Sequence, residues 1–210
     1  VAHGLAPEGI ENNEVLYELV TDAGWSNRHI DVREWLRQYS LNRYGAAPEQ
    51  LMTAWNYLMK SVYGSFTDHP RFNWQLRPGS VKNGSINMNA DYFRGLESFI
   101  AASDKLKDSP SFLTDLCEMT AHYRGGKAEL LTRLIVQEYL LGDTLKARFL
   151  QSRFETLMLG MDRILSQHPT LRLDRWLSFA QKSAHTDAQR KQYETNARRI
   201  VTVWGPPVDD

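Results

Sequence analysis

Gly4-Leu5-Ala6-Pro7-Glu8-Gly9-Ile10-Glu11-Asn12-Asn13-Glu14-Val15 is the one stretch where an extended segment hands over to a helix, and no convincing strand pattern follows it. Pro7 fixes its own φ and holds Ala6 extended. Gly9 permits a sharp turn or a close approach to a ligand. Glu8 stands between them, and behind it an apolar-periodic run begins at Ile10, Val15, Leu16, Leu19 and Val20. The reading is a strand end or loop that delivers a carboxylate and then enters a helix. On pattern alone the carboxylate needs no special role, because a Glu in a first turn is favoured by the positive partial charge of a helix N-terminus.

Working outward, residues 10–23 read as a helix with Gly24 as its stop. Asp31-Val32-Arg33-Glu34 has the form of a capping box, opening a helix with the stripe Val32, Trp35, Leu36, Tyr39 that Gly45 ends. Pro48 suits the first position of the next helix, whose stripe is Leu51, Ala54, Trp55, Leu58, Met59, Val62. The aromatic residues of these two helices read as core. Residues 64–88 are rich in Gly, Pro, Asn and Ser yet carry Phe66, His69, Phe72 and Trp74. Disorder does not favour that aromatic content, so the segment is expected to be an ordered loop packed on something, for instance a barrel rim. Asn83-Gly84-Ser85 has the form of a glycosylation sequon, relevant only to a eukaryotic secretory protein.

From residue 89 the signal is helix after helix. Tyr92, Phe93, Leu96, Phe99 and Ile100 form one stripe. Ser109-Pro110 is a cap followed by an N1 proline, and Gly125-Gly126 is expected to bend or break the helix it opens. Leu130–Leu141 resumes the pattern up to Gly142. A long amphipathic run, Leu145 to Leu165, stops before Pro169. A short helix over Leu171–Ala180 and a last one opened by Thr186-Asp187-Ala188-Gln189 follow, with Tyr193, Ala197, Ile200, Val201 and Trp204 on one face. Asn196 and Arg198 are candidates for a buried polar link to the preceding helix. The expected fold is all-α, an antiparallel helical array or bundle, without a fixed-period repeat or low-complexity segment.

The 25 basic and 25 acidic residues balance. That argues against a nucleic-acid partner held by counterion release and against a polybasic membrane anchor. No run of 18 apolar residues reads as a membrane span, and Val1-Ala2-His3-Gly4 has no features of a signal peptide. The lone Cys117 excludes an intrachain disulfide and sits in the stripe Phe112, Leu113, Leu116, as an inert thiol would. The six histidines are scattered, with no metal-ligand spacing, so neither a metal nor a cofactor is expected. There is no Gly-x-Ser-x-Gly, and Gly125-Gly126-Lys127 lacks the phosphate-loop spacing.

Ala6-Pro7-Glu8-Gly9-Ile10-Glu11-Asn12-Asn13-Glu14-Val15-Leu16-Tyr17, followed by Gly24-Trp25, resembles the α-N-acetylglucosaminidases of glycoside hydrolase family 89. Arg43-Tyr44-Gly45, Ala54-Trp55, Ser61-Val62-Tyr63, Trp176-Leu177, Tyr193-Glu194, Asn196-Ala197-Arg198 and Thr202-Val203-Trp204-Gly205 match in order and spacing, so the resemblance covers essentially the whole chain. It implies that residues 1–28 are the last strand end and helix of a catalytic (β/α)8 barrel. Residues 29–210 would be the all-α C-terminal domain, with both chain ends looking cut. It implies a retaining exo-glycosidase that hydrolyses terminal α-linked N-acetylglucosamine through a covalent intermediate on Glu8. Its acid/base glutamate would come from an earlier barrel strand, before position 1, so the chain alone is expected to be inactive.

His3 beside the motif and Trp204 at the last helix end are weaker substrate-binding candidates. The first-turn carboxylates Glu11 and Glu14 read as solvated. The implied partners are a glycan ending in α-N-acetylglucosamine, of the heparan sulfate or mucin type, and the remainder of the same polypeptide. The implied location is secreted, periplasmic or lysosomal. The alternative is a non-catalytic all-α structural or protein-interaction module in which Pro7-Glu8-Gly9-Ile10 is an ordinary helix start.

Overall fold

A computed structural model describes residues 4–6, 13–64, 72–75 and 89–202; among them the chain is all-α, with no strand. Two compact units divide it, residues 1–158 and 159–210.

In the first unit, α1 (Glu14–Trp25) is followed by α2 (Val32–Tyr44) and α3 (Glu49–Met59). Asp31 caps α2 as its sequence implies, its carboxylate accepting from the N–H groups of Arg33 (2.9 Å) and Glu34 (3.2 Å). Gly45 ends α2 at φ +85°, a backbone state that a Cβ disfavours. The expectation for α1 needs two corrections. Asn13 is extended (φ −77°, ψ 162°), so the helix starts at Glu14 rather than at residue 10. Gly24 does not stop it either: the helix runs through to Trp25 and leaves at an extended Ser26, whose N–H donates to the Asp22 carbonyl.

Beyond Val62–Gly64, a 3-10 turn, and a second one at Asn73–Gln75, α4 (Ala90–Ala101) lies along α3, and α5 (Ser103–Leu106) leads into α6 (Pro110–Leu140). The stripes close one core. Leu51, Ala54, Trp55 and Leu58 of α3 meet Tyr92, Leu96 and Phe99 of α4, with Phe112 and Met119 of α6 and Leu36, Tyr39 and Tyr44 of α2 around them. The rings of Tyr44, Trp55, Phe99 and Phe112 contact one another edge-on or stacked at 5.1–6.5 Å between centroids. Each such burial contributes roughly 1.5–3 kcal/mol.

The pair Gly125-Gly126 does not break α6, which is continuous over 31 residues. It serves close approach instead. A Cβ on Gly125 would lie 2.5 Å from the Phe72 ring, and one on Gly126 would lie 2.8 Å from Tyr92. Phe72 is buried and stacked on Trp74, whose indole N–H donates to the Gly125 carbonyl at 3.0 Å. Phe72 and Trp74 of the aromatic loop are thereby anchored on α6. Phe66, His69 and the Asn83 sequon lie outside the described residues.

α7 (Thr144–Leu165) buries Ala147 completely, and Leu150, Phe154 and Leu157 half. Leu145 and Phe149, expected on the same stripe, are 81% and 61% exposed. At about 100° per residue, Leu145 points some 200° away from Ala147, on the opposite side.

The second unit holds the end of α7, the 3-10 turn Pro169–Leu171, α8 (Leu173–Lys182) and α9 (Asp187–Val201). Leu177 is its buried anchor. Thr186 caps α9 by accepting from the Gln189 N–H, while the Gln189 side chain accepts from the His185 N–H. The polar link between α8 and α9 runs from Gln181 to Glu194 at 2.7 Å. Asn196 and Arg198 do not make it: both are exposed, and Arg198 pairs with Glu194 on its own helix. Ile200 and Val201, expected on an apolar face, are exposed as well.

Candidate functional site

Glu8, His3 and Trp204 lie outside the described residues, as does Glu11. The structure does describe what receives the chain five residues after Glu8. Asn13 occupies the N-cap of α1, yet its side chain makes no cap hydrogen bond. Both ends of its amide are used elsewhere. The Asn13 Nδ2 donates to Glu118 Oε2 on α6 at 3.1 Å, and the Tyr63 hydroxyl donates to Asn13 Oδ1 at 2.7 Å.

A second layer adjoins this pair. Arg43 grips Asp115 of α6 with two parallel bonds, Nε to Oδ2 at 2.7 Å and Nη2 to Oδ1 at 2.8 Å. The Tyr44 hydroxyl donates to the same carboxylate at 2.7 Å. Charge-assisted, bidentate bonds of this kind are among the stronger polar contacts. The same guanidinium lies 3.7 Å from Glu14 and 3.8 Å from Glu18, so α1, α2 and α6 share one cation. Glu14 is thus only half solvated, with its side chain 46% exposed.

Four carboxylates, Glu14, Glu18, Asp115 and Glu118, surround that one guanidinium. Burial pushes the Glu118 carboxyl above the usual carboxylate range, and the charge on Glu14 adds to this. Desolvation raises Glu18 too. The hydroxyls of Tyr44 and Tyr63 are pushed far up by burial first, so they act as donors that do not ionise. Chemically the arrangement can hold the first turn of α1 in place through neutral donors and a shared cation. Nothing in it is poised to attack a substrate.

Hydrophobic seating of α1 is partial, with Leu16, Leu19 and Val20 half-buried. Val15 is its one buried residue, and a groove of about 310 Å³ runs along it, lined by Leu16, Leu19, Leu36, Trp55 and Met59. Tyr17 Oη is buried without a hydrogen-bond partner among the described residues. Cys117 is half-buried, with its thiol pushed up by desolvation. Among the described residues no group of three or more His, Cys, Asp or Glu is placed to hold a metal ion, and no helix is long and apolar enough to cross a membrane.

Sequence reasoning reached Asn13, Arg43-Tyr44 and Tyr63 only as parts of a resemblance, and it missed Asp115 and Glu118. A signal for Asp115 was present: it falls on the stripe Phe112, Leu116, Met119, where a buried carboxylate demands a partner.

Comparison with known proteins fits this architecture. The chain is 28% identical over 221 residues to the human alpha-N-acetylglucosaminidase, a match that takes in 98% of this chain and 29% of the human one. A family 89 glycoside hydrolase from Clostridium perfringens, solved with its substrate GlcNAc-α-1,4-galactose in a doubly Glu→Gln-substituted form, superposes with a TM-score of 0.81 at 25% identity, covering 94% of this chain and 24% of that one. The same hydrolase in complex with PUGNAc gives a TM-score of 0.83 over 93% of this chain, also at 25% identity and 24% of its own length. The chain thus spans less than a third of the relatives it matches. Residues 35–210, nearly all of the helices described above, match the family described as the alpha-N-acetylglucosaminidase (NAGLU) C-terminal domain, and the chain belongs to that family.

Proposed function

We propose that this chain is the C-terminal part of a retaining exo-glycosidase that releases terminal α-linked N-acetylglucosamine, with Glu8 as its nucleophile. Residues 1–28 are then the end of the catalytic (β/α)8 barrel and residues 29–210 the helical domain. The reading is carried by the match to a hydrolase solved with its substrate GlcNAc-α-1,4-galactose and in complex with PUGNAc, together with the segment Pro7-Glu8-Gly9-Ile10.

Stereochemistry says why a protein carboxylate is needed. In an α-glucosaminide the 2-acetamido group lies cis to the leaving group and cannot attack the anomeric carbon from behind. An enzyme nucleophile therefore forms the glycosyl ester, and a second carboxyl roughly 5–5.5 Å away protonates the leaving oxygen and later activates water. That acid/base group belongs to the remainder of the polypeptide, before position 1, which leaves the 210-residue chain inactive alone. His3 and Trp204 are the further contacts to the sugar. The protein works in a secreted, periplasmic or lysosomal compartment, on glycans ending in this sugar.

The test uses the complete polypeptide and an aryl α-N-acetylglucosaminide. Glu8→Ala should abolish turnover, and azide should restore it. Azide forms a bond to the anomeric carbon as the aryloxide leaves, giving the β-glycosyl azide. Absence of that product, or turnover by the isolated chain, refutes the assignment.

A further inference from the structure

An asparagine at a helix N-cap normally turns its side-chain oxygen onto the N–H groups of the first turn, a bond worth about 1 kcal/mol. Asn13 makes no such bond. Its oxygen receives the Tyr63 hydroxyl, 50 residues on, and its amide nitrogen reaches Glu118, 105 residues on. The next residue, Glu14, faces Arg43, whose guanidinium donates to Asp115, a carboxylate that also accepts from the Tyr44 hydroxyl. On α1 Val15 is buried, and Leu16, Leu19 and Val20 are half-buried. Polar bonds thus join a partly buried apolar face in locating the start of this helix. Five residues separate Asn13 from Glu8, a reach of at most about 17 Å. A nucleophile must be held within about 0.5 Å of its productive position, and supporting hydrogen bonds usually do this.

We infer that Asn13, clamped between Tyr63 and Glu118, is a positioning residue for Glu8, tying the segment that carries the nucleophile to the helical domain. The inference rests on the reading of Glu8 as nucleophile. It gives the helical domain a part in the reaction that requires no contact between Asn13, Tyr63 or Glu118 and the sugar. Glu118 serves as a hydrogen-bond acceptor, a task a glutamine can take over because its carbonyl oxygen also accepts from Asn13.

The experiment uses the complete polypeptide with an aryl α-N-acetylglucosaminide. Asn13→Ala should lower kcat about 10- to 100-fold, while inhibition by free N-acetylglucosamine stays within about twofold. Tyr63→Phe, which keeps the ring in place, should lower kcat in the same sense. Glu118→Ala should do likewise, and Glu118→Gln should recover most of that loss. The deciding arm places Asn13→Ala in the Glu8→Ala background with azide. Azide replaces the carboxylate, so the loss caused by Asn13→Ala should vanish there. A loss of equal size in that background would mean that Asn13 supports the structure at large and would overturn the inference while leaving Glu8 its role. Unchanged kcat in Asn13→Ala would overturn it too. Failure of azide to rescue Glu8→Ala alone would remove the nucleophile reading and this inference with it.

Discussion

His122 sits on α6 with its ring 6.3 Å from that of Phe72, in a part of the core where desolvation alone lowers its affinity for a proton. The folded chain therefore keeps it neutral at pH values where the unfolded chain, at about 6.5, begins to protonate it. Because the unfolded state binds the proton more readily, stability is intact above about pH 6.5 and falls as the pH drops below it, levelling off only under the folded value. Glu118 acts with the opposite sign. Its carboxyl takes up a proton more readily in the folded state, so its contribution rises as the pH falls through its raised folded value and is complete only below the ordinary value of 4.5. Comparing His122→Gln with the parent chain separates the two. The parent should lose more urea resistance between pH 7.5 and 5.5 than His122→Gln does, and identical losses would contradict a desolvated imidazole.

At the scale of an element, α6 shows how a sequence signal can carry two meanings. Glycine inside a helix ordinarily weakens it by about 1 kcal/mol relative to alanine, which is why Gly125-Gly126 reads as a bend or break. Alanine at 125 would gain that propensity but place a Cβ 2.5 Å from Phe72, a ring that is buried and stacked and so cannot swing away. Overpacking of this kind costs about 1–3 kcal/mol. Gly125→Ala should accordingly lower the Tm, whereas in a Phe72→Ala background the same change should be neutral or stabilising. A higher Tm for the single variant would sink the close-approach account. The caps of α2, α6 and α9 were legible because Asp31, Ser109-Pro110 and Thr186 act on neighbours three residues away. The core stripes were legible from their period. The clamp on Asn13 was not, because its partners are 50 and 105 residues distant and no local pattern encodes such a pairing. The same amide in a local reading is simply a helix cap. Glu8, by contrast, was reached through its Pro-Glu-Gly-Ile setting in a family resemblance, and local patterning gave it no distinction from any first-turn carboxylate.

At the scale of the chain, α6 and α7 run antiparallel past the turn at Gly142, joined by Lys146 on Glu138 at 2.7 Å and by the Tyr139 hydroxyl donating to Gln151. Between them lies a groove of about 360 Å³ lined by Leu130, Leu131, Leu134 and Leu157. Around the turn Val136, Leu140, Leu141, Leu145 and Phe149 stand more than half exposed, Leu140 at 83% and Leu145 at 81%. Val136 and Leu140 share one face of α6, Leu145 and Phe149 one face of α7, each pair one turn apart. Isolated exposed apolar residues are ordinary, but two such helix faces flanking one turn on a lone chain favour association. In relatives, the matched stretch is 24–29% of a longer polypeptide, so this face need not meet water there. The 24.2 kDa chain by itself should therefore self-associate. Sedimentation should give a weight-average mass that rises with concentration, and Leu140→Glu with Leu145→Glu should return it towards the monomer. Because both side chains already face solvent, the pair should change the unfolding midpoint of the isolated chain little, within about 0.5 kcal/mol per site. A monomeric parent chain at every concentration would show that these leucines are too dispersed to act as one surface. A collapse in stability on adding the two charges would show that they are not exposed at all.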